Sequence, residues 1–227
     1  MAHKNLKGII FDLDGTLIHS TIDFRKMKTN MIQVLERNDV PEGALTPEMI
    51  TVDILEKTEK YWDQVEKPED VRVGLRAQME ELMNQGELEA IPLVVEIEGA
   101  SGALRELKEK GYKLGILTRS HHEYAVEALK KIGTYDCFDV VLGRGETPRP
   151  KPYPEALDHA AKLMELDMDE LLFVGDMYLD YLSAVNSGCA FVGVDTSGRS
   201  RSAAWRDDEP EVILDTVGGL PRYLSKT

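Results

Sequence analysis

Two carboxylates, Asp12 and Asp14, stand two residues apart directly after the apolar run at 8–11. The run is too short for a helix and does not alternate, which predicts a buried central strand of a parallel sheet that ends at Asp12. An unpaired carboxylate at the end of a buried strand carries a desolvation cost. We therefore expect Asp12 and Asp14 to have a chemical role and a partner that neutralises them.

Three further groups of polar residues follow predicted strands or lie in the loops between them. They are Thr118 with Arg119 and Ser120, then Lys151, and then the segment from Gly175 to Asp180. In an open parallel sheet, ligands bind outside the carboxyl ends of the strands. We therefore expect these groups to lie near Asp12 and Asp14.

The residue types in these groups favour a cation and a phosphoryl group. If Asp176 lies beside Asp12 and Asp14, like charges ~4 Å apart repel by about 4 kcal/mol at an effective dielectric constant of about 20. A divalent cation would reverse that repulsion, and ligands that are all oxygen favour Mg²⁺. The Thr118 hydroxyl and the Lys151 ammonium suit a phosphoryl group.

Strands and helices alternate after residue 100, which predicts a parallel sheet. We expect Ser101 to cap the first helix of this part. The predicted strands are 113–118, 138–142, 171–175 and 190–194, and the predicted helices between them are 122–132, 154–166 and 179–187. A loop is predicted at 197–208, because this segment is rich in Ser, Arg and Asp. A short helix is predicted at 221–224, near the end of the chain.

The stretch from about Ile22 to Leu88 instead predicts helices without a strand. The first helix begins near Phe24, and its apolar residues recur every three or four positions. The second begins at Thr46, with Pro47 in the first helical position, and runs towards 65. The third stops at Gly86. The methionines of this stretch are expected to form an ordinary core.

Composition excludes several classes of protein. The chain has 227 residues and a formal net charge of −14, which argues against binding to a nucleic-acid polymer. No apolar run approaches the ~20 residues that cross a bilayer, and the N-terminus lacks the features of a secretory leader. Two cysteines without a CxxC pair suit a reducing cytoplasm, and we expect Cys137 and Cys189 to be core residues.

The polar segments, in this order, resemble the four motifs of the haloacid dehalogenase-like hydrolase superfamily, of the phosphoglycolate phosphatase type. The first motif, DxDxT, stands here as Asp12–Thr16, the second as Thr118, the third as Lys151, and the fourth, GDxxxD, as Gly175–Asp180. A short motif alone has false positives, but four at strand ends make coincidence a poor explanation. The helical stretch also lies where this superfamily carries a cap.

The resemblance implies an α/β fold with a Rossmann-like, doubly wound parallel sheet as its core and an inserted all-helical cap domain. The core domain would comprise 1–20 and 89–227, and the cap domain 21–88. Gly15 permits the turn after the first strand and a close approach of the backbone to a ligand. Thr16 and Gly175 complete the motifs as supporting residues.

The resemblance also implies a reaction. Asp12 would attack phosphorus and form a phosphoaspartyl enzyme, and Asp14 would be the general acid and base. Mg²⁺ would lie between Asp12, the backbone carbonyl of Asp14, and Asp176.

Other residues would support that reaction. Thr118 and Lys151 would hold the phosphoryl oxygens, and Asp180 would orient Lys151 or a water on the metal. Arg119 stands where Asn is frequent in the superfamily. We group it with the phosphate-binding residues, although it could contact the substrate beyond the phosphate or face solvent.

The leading hypothesis is a Mg²⁺-dependent phosphatase for a small phosphomonoester such as phosphoglycolate, a sugar phosphate or a nucleotide. A phosphomutase with the same phosphoenzyme is the alternative enzyme, and a regulator that binds a phosphometabolite without turnover is the alternative from another class. A dehalogenase, a phosphonate hydrolase and a receiver domain suit these residues less well. The histidines at 19, 121 and 122 are expected to lack catalytic partners. The sequence leaves the oligomeric state open.

Overall fold

The computed structural model describes residues 5–19, 22–196, 205 and 208–226. The strands among these residues are β1 (Gly8–Phe11), β2 (Ile18–His19), β3 (Val95–Glu96), β4 (Lys113–Leu117), β5 (Val140–Leu142), β6 (Leu171–Gly175), β7 (Ala190–Val194) and β8 (Ile213–Leu214). Six of them form one parallel sheet in the order β5-β4-β1-β6-β7-β8. The predicted parallel α/β sheet is therefore confirmed.

Strand β1 lies where the strand order reverses. Strands β4 and β5 lie on one side of it, and β6, β7 and β8 lie on the other. Its last residue, Phe11, is in register with Ile116 of β4 and Val174 of β6. Ligands of open parallel sheets bind outside the carboxyl ends of the strands at such a reversal. Asp12 is the first residue beyond β1 at this point.

The helices are α1 (Phe24–Glu36), α2 (Thr51–Gln64), α3 (Glu69–Ala90), α4 (Ala100–Glu109), α5 (His122–Lys131), α6 (Pro154–Met164) and α7 (Tyr178–Ser187), followed by a short helix at Leu220–Leu224. A compact unit is formed by Met1–Ser20 together with Leu93–Thr227, and a second by Thr21–Pro92. In the first unit, α6 and α7 bury Leu157, Ala160 and Ala184 together with Ile10 and Phe173 of the sheet. The buried strand β1 is thus covered by apolar side chains, as its sequence predicted.

Three predicted boundaries in this unit are wrong by two residues, and one of them is the end of α6, which lies at Met164 rather than at 166. Ser101 does not cap α4, because Gly99 takes a left-handed conformation (φ +82°) and the helix begins at Ala100. Ser101 lies inside the helix, and its hydroxyl donates to the carboxylate of Glu96. Strand β5 begins at Val140 rather than 138, since a 3₁₀ turn at Tyr135–Cys137 precedes it.

The helical unit is built from α1, α2 and α3. Its buried apolar residues include four methionines, which confirms the prediction of an ordinary core; the cluster comprises Met27, Met31, Ile32, Leu35, Val40, Leu45, Ile54, Trp62, Leu75, Met79 and Met83. The indole N–H of Trp62 donates to the carbonyl of Asn38 at 3.1 Å, so this large side chain is buried with its polar group satisfied.

The predicted start of α2 and end of α3 are also wrong. The carbonyl of Thr46 accepts from the N–H of Met49 at 3.1 Å and closes a separate turn, so α2 begins only at Thr51. Gly86 lies within α3, which continues to Ala90. Gly86 faces Met27 of α1, and a Cβ at this position would make only ordinary van der Waals contact with that side chain, 3.4 Å from its Cγ.

The two cysteines are buried and unbridged, which confirms their prediction as core residues. Burial raises the pKa of the Cys189 thiol to about 12. Among the described residues, no helix combines the length and the apolar character that a membrane span requires. The predicted loop at 197–208 lies outside the described residues except for Trp205 and Asp208.

Leu35→Ala should destabilise the helical unit. Leu35 is fully buried in its core, and truncation of such a leucine costs about 2–5 kcal/mol of unfolding free energy. The matched control is Gln33→Ala on the exposed face of the same helix, which should change that free energy by less than about 0.5 kcal/mol. Chemical denaturation of the three proteins measures both values, and equal effects of the two substitutions would contradict the packing of α1.

Candidate active site

Three buried charged residues meet at the end of β1. The Lys151 ammonium donates to Oδ1 of Asp12 at 2.6 Å and to Oδ1 of Asp180 at 2.7 Å. Asp12 is 8% exposed, Lys151 4% and Asp180 2%. Burial disfavours the charged ammonium, but the two carboxylates outweigh it and raise the pKa of Lys151 above its ordinary value. Residues 139 and 29 positions apart in sequence thus form one ionic cluster.

The backbone holds Asp12 and Lys151 in place. The N–H of Asp12 donates to the carbonyl of Val174 at 2.9 Å, which continues the pairing of β1 with β6 beyond the last strand residue. Lys151 lies in the loop before α6. The side-chain amide of Asn186, on α7, donates to the carbonyl of Pro152 in this loop at 2.9 Å.

Asp180 has two contacts that fix its carboxylate. Its Oδ2 accepts from the N–H of Met177 at 3.1 Å and satisfies the first turn of α7, while Oδ1 accepts from Lys151. A Cβ at Gly175 would lie 2.5 Å from Cβ of Asp180. The glycine at the end of β6 is therefore required for α7 to start so close to the strand.

Carboxylate oxygens of Asp12, Asp176 and Asp180 lie within 4.8 Å of one another, and all three residues are buried. When all are ionised, three carboxylates against the Lys151 ammonium leave two negative charges. Burial raises the pKa of the Asp12 carboxyl to about 7; Lys151 opposes this rise and Asp180 adds to it. The cluster therefore has a net negative charge when its carboxylates are ionised, and its oxygen ligands fit a divalent cation.

Gly15 brings the backbone after β1 against this cluster. It has a φ of +85°, and a Cβ there would lie 2.3 Å from Oδ2 of Asp176. The hydroxyl of Thr196, beyond β7, donates to the carbonyl of Gly15. Thr16 is fully buried, and its hydroxyl lies 3.5 Å from Oδ1 of Asp176.

The carboxylate of Asp14 is held by Ser120, which the sequence groups with Thr118 and Arg119 after a strand, and by Tyr124, which the sequence did not identify as part of a site. The Ser120 hydroxyl donates to Oδ2 of Asp14 at 2.9 Å, and the Tyr124 hydroxyl donates to Oδ1 at 2.8 Å. Ser120 lies between β4 and α5, and Tyr124 lies in the first turn of α5; for Ser120, its position just after a strand is the signal that the sequence offers. The Asp14 side chain does not belong to the three-carboxylate group, which contains Asp180 instead.

Thr118 and Arg119 follow β4, next to β1. Thr118 is buried, and its Oγ1 accepts from the N–H of Ser120 at 3.1 Å. Burial lowers the pKa of the Arg119 guanidinium, while the negative charges of Asp180 and Asp12 act in the opposite direction. The Arg119 guanidinium is therefore close enough to the ionic cluster to interact with it electrostatically.

His122 contacts a carboxylate, which the sequence did not indicate. Its Nδ1 lies 2.8 Å from Oε2 of Glu146, and the same oxygen accepts from the N–H of Gly143 at 2.7 Å. A carboxylate can bridge two such donors, which no periodicity in the sequence reveals. The contact joins the start of α5 to the loop after β5.

Comparison with known proteins identifies the family. The family model described as haloacid dehalogenase-like hydrolase matches residues 9–194. A phosphoglycolate phosphatase of Neisseria meningitidis is 27% identical over 97% of this chain and 93% of its own length. The pyrophosphatase PpaX of Bacillus mycoides is 26% identical over 97% of this chain and 98% of its own length.

A solved structure supports the fold. The crystal structure of a predicted phosphoglycolate phosphatase from Haemophilus somnus has a TM-score of 0.68 and 23% identity, and covers 96% of this chain and 98% of that chain. The predictions of the superfamily, of its Rossmann-like α/β fold and of an enzyme are confirmed. The family match spans β1 to β7 and includes all four motif segments. The chain belongs to the haloacid dehalogenase-like hydrolase family.

Proposed function

We propose that this hydrolase is a Mg²⁺-dependent phosphatase that acts on small phosphomonoesters through a phosphoaspartyl intermediate. The observation that carries the proposal is the buried Asp12 carboxylate at the end of β1, which contacts Lys151 and lies beside Asp176 and Asp180. Phosphoryl transfer needs a positioned nucleophile and compensation of charge, and this cluster offers both.

In the first step, Asp12 attacks phosphorus, and the ester P–O bond breaks as the bond from Asp12 to phosphorus forms. Asp14 gives its proton to the leaving oxygen, which departs as an alcohol. The Lys151 ammonium stabilises the negative charge of the phosphoryl oxygens, and the Arg119 guanidinium stabilises the same charge. Oγ1 of Thr118 accepts from the backbone N–H of Ser120. The O–H of Thr118 therefore points elsewhere and can donate to a phosphoryl oxygen.

In the second step, water attacks phosphorus and the bond from phosphorus to Asp12 breaks. Asp14, now ionised, takes the proton from this water and regains its acid form. Inorganic phosphate leaves, and the Asp12 carboxylate returns to its contact with Lys151. Asp180 keeps Lys151 in place throughout, because it is itself fixed by the first turn of α7.

The carboxylates of Asp12 and Asp176 and the main-chain carbonyl of Asp14 would hold the Mg²⁺ ion. The negative charge left in the cluster and the raised pKa of Asp12 support a divalent cation there. When bound, Mg²⁺ supplies positive charge that offsets repulsion between the carboxylates and the phosphoryl oxygens. Gly15 leaves the space beside Asp176 that this arrangement needs.

The substrate that we propose is a small phosphorylated metabolite. Relatives carry the names phosphoglycolate phosphatase and pyrophosphatase, both of which refer to small phosphorylated compounds. The net charge of −14 disfavours a nucleic-acid polymer. We further propose that the helical unit Thr21–Pro92 is the cap domain of this family and contributes to the choice of substrate.

The cytoplasm is the proposed location. Both cysteines of the chain are unbridged in the structure, which suits a reducing compartment.

Asp12→Asn should abolish phosphatase activity. Wild-type protein should release inorganic phosphate from p-nitrophenyl phosphate in the presence of Mg²⁺. This release should stop when EDTA is added. Replacement of the nucleophile by an amide should lower kcat by about 10³-fold or more. The matched control is Asp169→Asn, which makes the same chemical change at an exposed position and should retain activity.

Three outcomes of this experiment would contradict the proposal. Unchanged turnover by Asp12→Asn would exclude Asp12 as nucleophile, and unchanged turnover in EDTA would exclude the metal. Substrate binding without phosphate release by the wild type would favour a regulator, or a mutase if the group moves to a sugar hydroxyl. Mass spectrometry after an acid quench should detect one phosphoryl group on the peptide that contains Asp12.

Gly15→Ala should weaken metal binding. The new Cβ would collide with the Asp176 carboxylate, and φ of +85° would add backbone strain. Gly111→Ala is the matched control, because Gly111 has φ of +89° but open space where its Cβ would lie. Both substitutions should lower the Tm of the metal-free protein. Titration with Mg²⁺ should raise the Tm of the wild type and of Gly111→Ala, but not that of Gly15→Ala. An equal Mg²⁺-dependent rise in both variants would contradict the metal site.

A further inference from the structure

Ser120 and Tyr124 hold the two oxygens of one carboxylate, that of Asp14. The Ser120 hydroxyl donates to Oδ2 at 2.9 Å and the Tyr124 hydroxyl to Oδ1 at 2.8 Å. Tyr124 is fully buried and Ser120 is 7% exposed. A tyrosine hydroxyl that is buried and directed to a catalytic carboxylate requires an explanation beyond packing.

Ser120 is itself rigidly placed. Its N–H donates to Oγ1 of Thr118 at 3.1 Å, and its carbonyl accepts from the N–H of Arg144 at 2.8 Å. Tyr124 lies in the first turn of α5, and His122 at the start of this helix contacts Glu146, whose carboxylate also accepts from the N–H of Gly143 in the loop after β5. The two hydroxyls therefore have defined positions relative to β4 and to the phosphate-binding residue Thr118.

Two donors determine the orientation of a carboxyl group in a way that one cannot. Rotation of an aspartate about its Cβ–Cγ bond has a broad, shallow energy profile, so a single hydrogen bond leaves the plane of the group variable. Bonds to both oxygens define that plane. Serine and tyrosine hydroxyls can also accept, so the contacts can persist whether or not Asp14 carries the proton that it transfers.

We propose that Ser120 and Tyr124 are positioning residues that orient the Asp14 carboxyl group towards the leaving oxygen of the substrate. The inference rests on the proposed phosphatase function and on the role of Asp14 in it as proton donor. Neither hydroxyl contacts the phosphoryl group in this scheme; both act through Asp14. Their effect should therefore appear only where the reaction needs a proton from Asp14.

The dependence of rate on the leaving group provides the test. An alkoxide such as that of glycerol phosphate departs poorly without a proton, whereas p-nitrophenolate departs readily without one. The quantity to measure is kcat/KM, because it reports the steps up to the transfer of the phosphoryl group to Asp12. The proteins to compare are the wild type, Tyr124→Phe, Ser120→Ala, the double variant and Ser120→Thr.

Tyr124→Phe and Ser120→Ala should each lower kcat/KM for glycerol phosphate by about tenfold. The double variant should lose less than the product of the two single effects, because loss of either donor already frees the plane of the Asp14 carboxyl group. The value for p-nitrophenyl phosphate should change by less than about threefold in every variant. Ser120→Thr keeps the hydroxyl and should retain most of the glycerol phosphate activity. Tyr135→Phe removes a hydroxyl at a half-exposed position and is the matched control, with no expected change.

Other results would overturn the inference. An equal loss with both esters would assign Ser120 and Tyr124 a merely structural role. Faster hydrolysis of glycerol phosphate by the variants would mean that the two hydroxyls hold Asp14 away from the substrate. If a variant unfolds, the remaining single variant and Ser120→Thr still decide the question.

The failure of the inference can be told apart from that of the proposed function. If wild-type protein hydrolyses both esters with Mg²⁺ and the ratio of the two kcat/KM values is the same in all variants, only the positioning role is lost. If the wild type hydrolyses neither ester, the proposed function fails and the inference fails with it. A crystal structure of the double variant should show the Asp14 carboxylate turned from its wild-type orientation, and an unchanged orientation would contradict the inference.

Discussion

The structure of the site depends on the burial of one ammonium among carboxylates at the end of β1. A buried ion is costly unless it is paired and hydrogen-bonded, and removal of one partner from a buried pair leaves an uncompensated charge. Lys151 satisfies two carboxylates at once, those of Asp12 and Asp180. With Asp176 the cluster still carries excess negative charge, which makes a divalent cation the natural complement to its electrostatics.

The fold supplies the positions of these charges through short backbone connections. Asp12 leaves β1 where the strand order reverses, and its neighbours on β4 and β6 lead directly to Thr118 and Asp176. Two glycines make the close approach possible: Gly15 leaves room for the Asp176 carboxylate, and Gly175 leaves room for Asp180 at the start of α7. The site therefore follows from the turns after the strands as much as from the charged residues.

Much of this arrangement could be predicted from the sequence, because it depends on local patterns. The apolar run of β1 and the strands β4, β6 and β7 were recognised from composition and length alone. Features that depend on tertiary contacts could not be predicted. Gly86 resembles a helix stop in sequence but lies inside α3, opposite Met27 of α1, and Thr46 resembles a helix cap but closes a separate turn.

Within the site, the same limit applies to residues with two partners. The fourth motif pointed to Asp180, but its double contact with Lys151 and the first turn of α7 is visible only in three dimensions. Ser120 and Tyr124 belong to no recognised motif, and their approach to Asp14 depends on how α5 follows β4. The contact between His122 on α5 and Glu146 in the loop after β5 is likewise visible only in three dimensions.

The most direct test of the central claim is anomalous X-ray diffraction from crystals of the protein grown with Mn²⁺ in place of Mg²⁺. The account predicts one strong anomalous peak at coordination distance, about 2.1 Å, from carboxylate oxygens of both Asp12 and Asp176. The absence of a peak there at saturating Mn²⁺, or ions bound only to exposed carboxylates elsewhere, would contradict it.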